Sequence, residues 1–347
     1  MSTRLDSNLT RAVKPAVLIG LAVFLMVGCK KASSPTEISL PATETSLPVT
    51  ETSLPASATS QPTSTLPEGE VLVPGDSNRS LFFESVVRAY ILHIPPGLNA
   101  SQPVPLVLVF HGIGLDGNEM IRISGFNAQS DLSGFIVVYP DGTGDKKSWN
   151  GGHCCGEAAI NKVDDVGFVQ ALIEELSKLV TLDPKRVYAT GFSNGAIMVY
   201  RLACEASDQI AAIAPVSATQ VLQDQQTCQP ARPVPLIHFH GTDDRLNPYQ
   251  GGKTSAGTQF ISVETAIQFW VGQNGCPEQA QQTKSGTITH DLYAPCAQNA
   301  SVELYKIEGG EHAWPGGESV SPQIGEPTIE ISATSLMWEF FVAHPLP

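Results

Sequence analysis

Residues 186–202 read RVYATGFSNGAIMVYRL: an apolar run, a short junction, and a second apolar run. The junction holds Ser193 between Gly191 and Gly195. Glycine weakens a strand interior and a helix interior alike, because it loses more backbone freedom on folding and packs nothing. Two glycines flanking one serine therefore mark a backbone that must be bare on both sides. The pattern G-x-S-x-G between a strand and a helix is a turn in which the serine takes a strained conformation and lifts its hydroxyl out of the sheet edge. That turn needs a strand that ends where a helix returns over the same sheet, so it commits the chain to a layered strand–helix architecture.

The rest of residues 71–347 agrees. Short apolar runs recur at 105–111 (PLVLVFH), 135–140 (FIVVYP), 186–191 (RVYATG), 210–216 (IAAIAPV), 235–240 (PLIHFH) and 302–308 (VELYKIE). They do not alternate apolar with polar, so these strands are predicted to be covered on both faces. A helix is predicted over 165–180, where Val166, Val169, Leu172, Ile173, Leu176 and Val180 recur at helical spacing behind a cap at Asp164. Further helices are predicted over 194–206, 263–272 and 329–343. Residues 81–94 alternate more and read as an antiparallel edge pair. The predicted class is α/β, with a mostly parallel central sheet and helices on both faces.

Residues 1–70 are of a different kind. Arg4, Arg11 and Lys14 precede an apolar run over 16–28, too short to span a bilayer and suited to a signal sequence. Met26-Val27-Gly28-Cys29 resembles a bacterial lipoprotein signal, which makes 1–28 the signal peptide and Cys29 the lipidated residue. Residues 29–70 repeat SLPATET, SLPVTET and SLPASAT. Proline in every repeat forbids a continuous helix, and Ser and Thr leave nothing to bury, so this segment reads as an extended, disordered linker. About 40 residues at roughly 3.1 Å each reach on the order of 100 Å.

The chain has 7 cysteines, and setting Cys29 aside leaves an even set, as in an exported disulfide-bonded protein. Local loops favour Cys204 with Cys228 and Cys276 with Cys296. By exclusion Cys154 and Cys155 pair with each other, or remain free thiols. The absence of a C-x-x-C pair argues against a zinc ribbon. A net charge of −14 argues against a nucleic-acid partner, and against a membrane contact other than a lipid anchor.

A serine alcohol is a poor nucleophile without a base. With this turn the order along the chain is Ser, then Asp or Glu, then His, each after a strand. The run PLIHFH leads into Asp243 and Asp244, and Asp244 fits the H-G-x-x-D-x-x-x-P spacing counted from His240. The run VELYKIE leads into a glycine-rich loop carrying His312. His290 and His344 also lie downstream of Asp244, but neither is expected to follow a strand directly; His238 and His240 read as structural. An oxyanion needs backbone donors, expected from the N–H groups of Asn194 and Ile113. His111 reads as a strut for the Ile113 loop.

Several blocks together resemble a known group. They are LVLVFHG at 106–112, YPDG at 139–142, Trp149-Asn150-Gly151, Cys154-Cys155-Gly156, VDDVGF at 163–168, ATGFSNGA, PVPLIHFHGTDD and GGEHAWPGG. The chain resembles the extracellular α/β-hydrolase esterases grouped as polyhydroxybutyrate depolymerase-like and feruloyl or acetylxylan esterase proteins. The resemblance implies Ser193, Asp244 and His312 as the catalytic triad, and ester hydrolysis without metal or cofactor. It departs from the group at Asp243, where alanine is common, and at Asn247, where valine is favoured. Trp149, Tyr249 and Trp314 fall on loops of the expected active face and could stack on a substrate. The expected protein is a secreted or surface-tethered serine esterase acting on polymeric or oligomeric esters. Polyhydroxybutyrate is the first expected substrate, and feruloylated or acetylated plant polysaccharide the second. The rival of another class is a non-catalytic binding protein on the same fold, against which the intact Ser, Asp and His speak.

Overall fold

The computed structural model describes residues 72–253, 257–322 and 324–347. The expected signal sequence, linker and lipidation at Cys29 all fall within residues 1–71, outside the described residues. Strands β1 (Gly75–Phe83) and β2 (Val86–Ile94) form a hairpin whose two turn residues, Glu84 and Ser85, both have positive φ. That backbone twist matches the twist of the paired strands. The strands that follow are β3 (Val104–Phe110), β4 (Ile136–Pro140), β5 (Leu182–Phe192), β6 (Ala212–Val216) and β7 (Leu236–Gly241). A short separate ribbon pairs β8 (Gly252–Lys253) with β9 (Gln259–Phe260), and β10 (Gln281–Ser285), β11 (Ile288–Tyr293) and β12 (Val302–Ile307) complete the set.

One 10-stranded sheet runs in the order β1-β2-β4-β3-β5-β6-β7-β12-β11-β10. From β4 through β12 neighbours are parallel, and an antiparallel hairpin closes each edge. Every residue of β3, β4, β6 and β7 is buried, as the unbroken apolar runs require. The two-residue period of a strand still divides the core. Leu106, Leu108 and Phe110 of β3 join one cluster, with α4 (Asp165–Leu179), α5 (Asn194–Glu205) and α7 (Val263–Gln273). Val107 and Val109 join the other, with α1 (Gly117–Ser124), α2 (Phe126–Ser133) and α8 (Ala333–Ala343). Two short helices, α3 (Gly156–Ile160) and α6 (Leu222–Thr227), lie in the connections.

The predicted strands and helices are present with small boundary shifts. The last helix begins at Ala333, where Ser332 caps it, and not at 329. Helices α1, α2, α3 and α6, the β8–β9 ribbon and the β10–β11 hairpin escaped the sequence reading. The β10–β11 hairpin was hidden because β10 reads QQTKS and is exposed throughout; a polar edge strand resists pairing with other chains. Helix α1 carries a capping box, Asp116 with Glu119, a sequence signal that went unread. Disulfides join Cys204 with Cys228, Cys276 with Cys296, and Cys154 with Cys155.

Candidate active site

Strand β5 delivers Ser193 to the carboxyl edge of the sheet, with φ 57° and ψ −119°. For a residue with a Cβ this is costly backbone, and it persists only where surroundings hold it. The Ser193 N–H donates to the carbonyl of Val216 at the end of β6, 2.9 Å away. The glycines act as the sequence implied. A Cβ on Gly195 would collide with the Phe110 carbonyl at the end of β3, and one on Gly191 with the first turn of α5. The sheet and helix can therefore approach closely enough to force the turn.

The loop after β3 runs past Ser193: a Cβ on Gly112 would lie 3.3 Å from the Cβ of Ser193. His111 braces this loop. Its Nε2 accepts from the Gly142 N–H at 2.8 Å, so the proton sits on Nδ1, which donates to the Gly112 carbonyl at 2.7 Å. Burial holds this imidazole below its usual pKa, in the neutral form that the two bonds require. Gly114 and Leu115 give their N–H groups to Lys147 and Gly112, which leaves the Ile113 N–H with no acceptor among the described residues. Asn194 is the first residue of α5, so its N–H has no intrahelical acceptor either. Neither donor has an acceptor among the described residues, and the loop that carries Ile113 passes Ser193 at Gly112.

Strands β7 and β12, neighbours in the sheet, supply the other pair. Asp244 and His312 are both buried, and His312 Nδ1 donates to Asp244 Oδ2 at 2.7 Å. The other carboxylate oxygen accepts from the N–H groups of Leu246 and Asn247 at 2.9 and 2.8 Å. Burial alone would raise this carboxyl; donation from His240 and His312 overrides it and holds the group well below the usual carboxylate range. The His312 ring lies 4.7 Å, centroid to centroid, from the ring of Phe192, the residue before Ser193. Ser217, just after β6, also has positive φ and donates from Oγ to the Ala313 carbonyl at 3.1 Å, tying the β6 turn to the His312 loop. Sequence reasoning did not single out Ser217; no motif marks it.

The remaining expectations divide. Asp243 is exposed, and among the described residues only its N–H is engaged, to the Gly310 carbonyl; Asp244 is the aspartate that meets His312. His290 lies within β11, bonded to Glu303 and stacked on Tyr305, and His344 bonds the Phe340 carbonyl. The three aromatics proposed as substrate platforms are instead core. Trp149, Tyr249 and Trp314 are 0%, 3% and 1% exposed. Trp149 donates from Nε1 to the His111 carbonyl, while its backbone exchanges two bonds with the Asn194 side chain. Trp314 donates to Thr334, and Tyr249 sits edge-on to His240. A loop position in sequence does not say which way a large ring turns, and burial of that much apolar surface outweighs exposure.

A groove of about 680 Å³ adjoins this edge, lined among others by Cys154, Cys155, Ile160, Lys162 and Arg201. Gly156 in its wall abuts Ile113: a Cβ there would come 2.9 Å from the Ile113 side chain.

A parallel sheet with a serine at the β5–α5 elbow, and a carboxylate–imidazole pair beyond two neighbouring strands, defines the α/β-hydrolase fold. Residues 98–269 match the Phospholipase/Carboxylesterase family. Over 234 residues the chain is 32% identical to feruloyl esterase B of Piromyces equi, covering 65% of this chain and 42% of that protein. Over 248 residues it is 32% identical to NocK of Nocardia uniformis subsp. tsuyamanensis, a protein named as an esterase, covering 66% of this chain and 71% of that one. The chain spans less than half the length of the first relative and most of the second. The acetyl xylan esterase from Aspergillus awamori shares the fold, with a TM-score of 0.54 at 14% identity over 78% of this chain and 99% of that one. The chain belongs to the carboxylesterases of the α/β-hydrolase fold.

Proposed function

We propose that the protein is an exported serine esterase that cleaves esters carried on plant polysaccharide. Ser193 Oγ attacks the ester carbonyl while His312 takes its proton. Asp244 holds the His312 ring in the tautomer with Nδ1 protonated and stabilises the imidazolium as it forms. The N–H groups of Ile113 and Asn194 receive the negative oxygen; such donors act where charge develops and need no rearrangement to do so. His312 then returns its proton to the leaving alcohol and activates a water to hydrolyse the acyl-enzyme.

The observation that carries this reading is the buried 2.7 Å bond from His312 to Asp244, packed against the residue that precedes a strained Ser193. Substrate class is favoured by the names of the relatives, feruloyl esterase B and the bifunctional acetylxylan esterase/xylanase XynS20E of Neocallimastix patriciarum. The second reading, hydroxybutyrate esters, rests on the motif blocks around Gly112, Trp149 and His312 that both groups share. Three disulfides suit an oxidising compartment. Lipidation at Cys29 would keep the catalytic domain on the envelope at the end of its linker.

The test is hydrolysis of p-nitrophenyl acetate by the full chain, with Ser193→Ala expected to lose about a thousandfold or more in kcat. Activity that survives this change would overturn the mechanism; no wild-type activity on any short ester would favour the binding-protein reading. Methyl ferulate, acetylated xylan and hydroxybutyrate oligomers in one panel then rank the acyl groups.

A further inference from the structure

Strand β7 places two histidines, His238 and His240, on one face of a fully buried strand in the middle of the sheet. The opposite face carries Ile237 and Phe239, which join the apolar core. Two imidazoles in such a place lose their hydration with no return unless their nitrogens are bonded. All four ring nitrogens are within hydrogen-bonding distance of a partner. Tyr200 Oη lies 2.9 Å from His238 Nδ1, His238 Nε2 lies 3.1 Å from His240 Nδ1, and His240 Nε2 lies 2.8 Å from the Asn247 carbonyl. The same His240 Nε2 is 3.4 Å from Asp244 Oδ2.

We propose that Tyr200, His238 and His240 form a one-way hydrogen-bonded chain that positions the Asp244 carboxylate for His312. The role rests on the esterase reading above. The direction of the chain follows from its far end. A backbone carbonyl only accepts, so His240 Nε2 carries a proton and donates to Asn247, with Asp244 Oδ2 as its second acceptor. In a neutral His240, Nδ1 is then an acceptor and His238 Nε2 must donate to it. His238 Nδ1 is in turn an acceptor, and Tyr200 supplies the hydroxyl proton. The alternative reverses every bond except the last and makes His240 an imidazolium. A charged His240 would stand opposite Lys306 in the parallel β7–β12 ladder, with the Asp244 carboxylate at 3.4 Å to offset it, and ¹H–¹⁵N spectra of the rings separate the two directions. Burial holds His238 well below its usual pKa, in keeping with a neutral ring at that place in the chain.

The chain closes on the turn that carries the acid. Asn247 gives its N–H to Asp244 Oδ1 and its carbonyl to His240, so one ring fixes both the carboxylate and the turn that orients it. None of the three residues is placed to touch substrate. They are positioning residues, and their loss should appear in kcat with KM preserved.

The experiment uses the full chain and p-nitrophenyl acetate. His240→Leu is expected to lower kcat about tenfold, the scale of one hydrogen bond to a charged group, with KM within about twofold. His240→Gln, whose amide can donate from the place of Nε2, is expected to recover most of the loss. Equal kcat in His240→Leu and wild type, or a loss that His240→Gln does not recover, would overturn the positioning role. Should His240→Leu fail to fold, ¹H–¹⁵N spectra of the wild-type histidine rings read the chain directly. Two neutral rings protonated at Nε2 across the neutral pH range support it; a His240 ring that is charged, or protonated at Nδ1 alone, overturns it. A wild-type protein with no esterase activity would remove the reading of function and the positioning role with it, while the ring spectra would still report whether the chain exists.

Discussion

The two arms of the site are built by opposite means. The arm proposed to carry the nucleophile, where β5 meets α5, works by subtraction: Gly191, Gly195 and Gly112 remove side chains so that backbone can crowd Ser193. The arm proposed to carry the acid and base, at the ends of β7 and β12, works by saturation: Asp244 accepts from two N–H groups and His312, with His240 against it at 3.4 Å. One arm fails when volume is added, the other when a bond is removed. The difference matters because a bare turn leaves its signature in local sequence, whereas a saturated carboxylate assembles from residues far apart in the chain.

The largest expected effect strikes the saturated arm. Asp244→Asn keeps the shape but replaces a charged acceptor, and the amide favours the wrong tautomer of His312. A fall in kcat of about three orders of magnitude or more is expected, as for the orienting carboxylate of other serine hydrolases. Asp243→Asn, on an exposed neighbour, is expected to leave kcat within about twofold. Steady-state kinetics on p-nitrophenyl acetate compare the two; equal losses would erase the distinction between the adjacent aspartates.

The subtracted arm should respond to a single methyl group. Gly195→Ala drives a Cβ into the Phe110 and His111 carbonyls, neither of which can turn aside as a flexible side chain would. Overpacking of this kind costs about 1–3 kcal/mol, and the shift between β3 and α5 would separate the two N–H groups proposed to receive the oxyanion. Thermal unfolding and kcat should fall together. A Gly195→Ala protein with wild-type kcat would show that the close approach of helix and strand is not what shapes the turn.

A second effect on stability comes from protons. His111, His238 and His344 are all held below their usual pKa by burial. The unfolded chain therefore binds protons that the folded one excludes once pH drops below about 6.5. Their stabilisation is fully present above that value and is lost as pH falls beneath it, by roughly 1.4 kcal/mol per pH unit for each proton excluded. Urea midpoints should be flat from pH 7 to 8 and decline from pH 6.5 downward. A midpoint that rises on acidification would mean that these rings gain protons on folding, contrary to the neutral tautomers.

The same contrast explains what the sequence disclosed. The parallel strands were legible because burial on both faces leaves unbroken runs such as PLVLVF, and the elbow because glycine has few other reasons to stand at Gly191 and Gly195. Asp244 and His312 were reachable through the rule that each follows a strand, although nothing local joins positions separated by so much chain. The polar β10 strand left no apolar trace, and Ser217 earned its place only through contacts with loops distant in sequence. His238 and His240 were legible as buried histidines but not as a chain, since direction in a hydrogen-bonded series depends on an acceptor at its end, here the Asn247 carbonyl.

Trp149 offers the smallest and most discriminating change. As a loop aromatic it was expected to meet substrate; in the structure it is sealed in, edge-on to Phe110 and donating to the His111 carbonyl at 3.1 Å. Trp149→Phe keeps most of the ring and deletes that donor. The buried carbonyl then lacks a partner, at a cost of about 1 kcal/mol or somewhat more in stability. KM for methyl ferulate should stay within about twofold, because no face of the ring reaches the cleft. A severalfold rise in KM with unchanged unfolding would return Trp149 to the substrate surface, and would mean that the nucleophile arm binds as well as shapes.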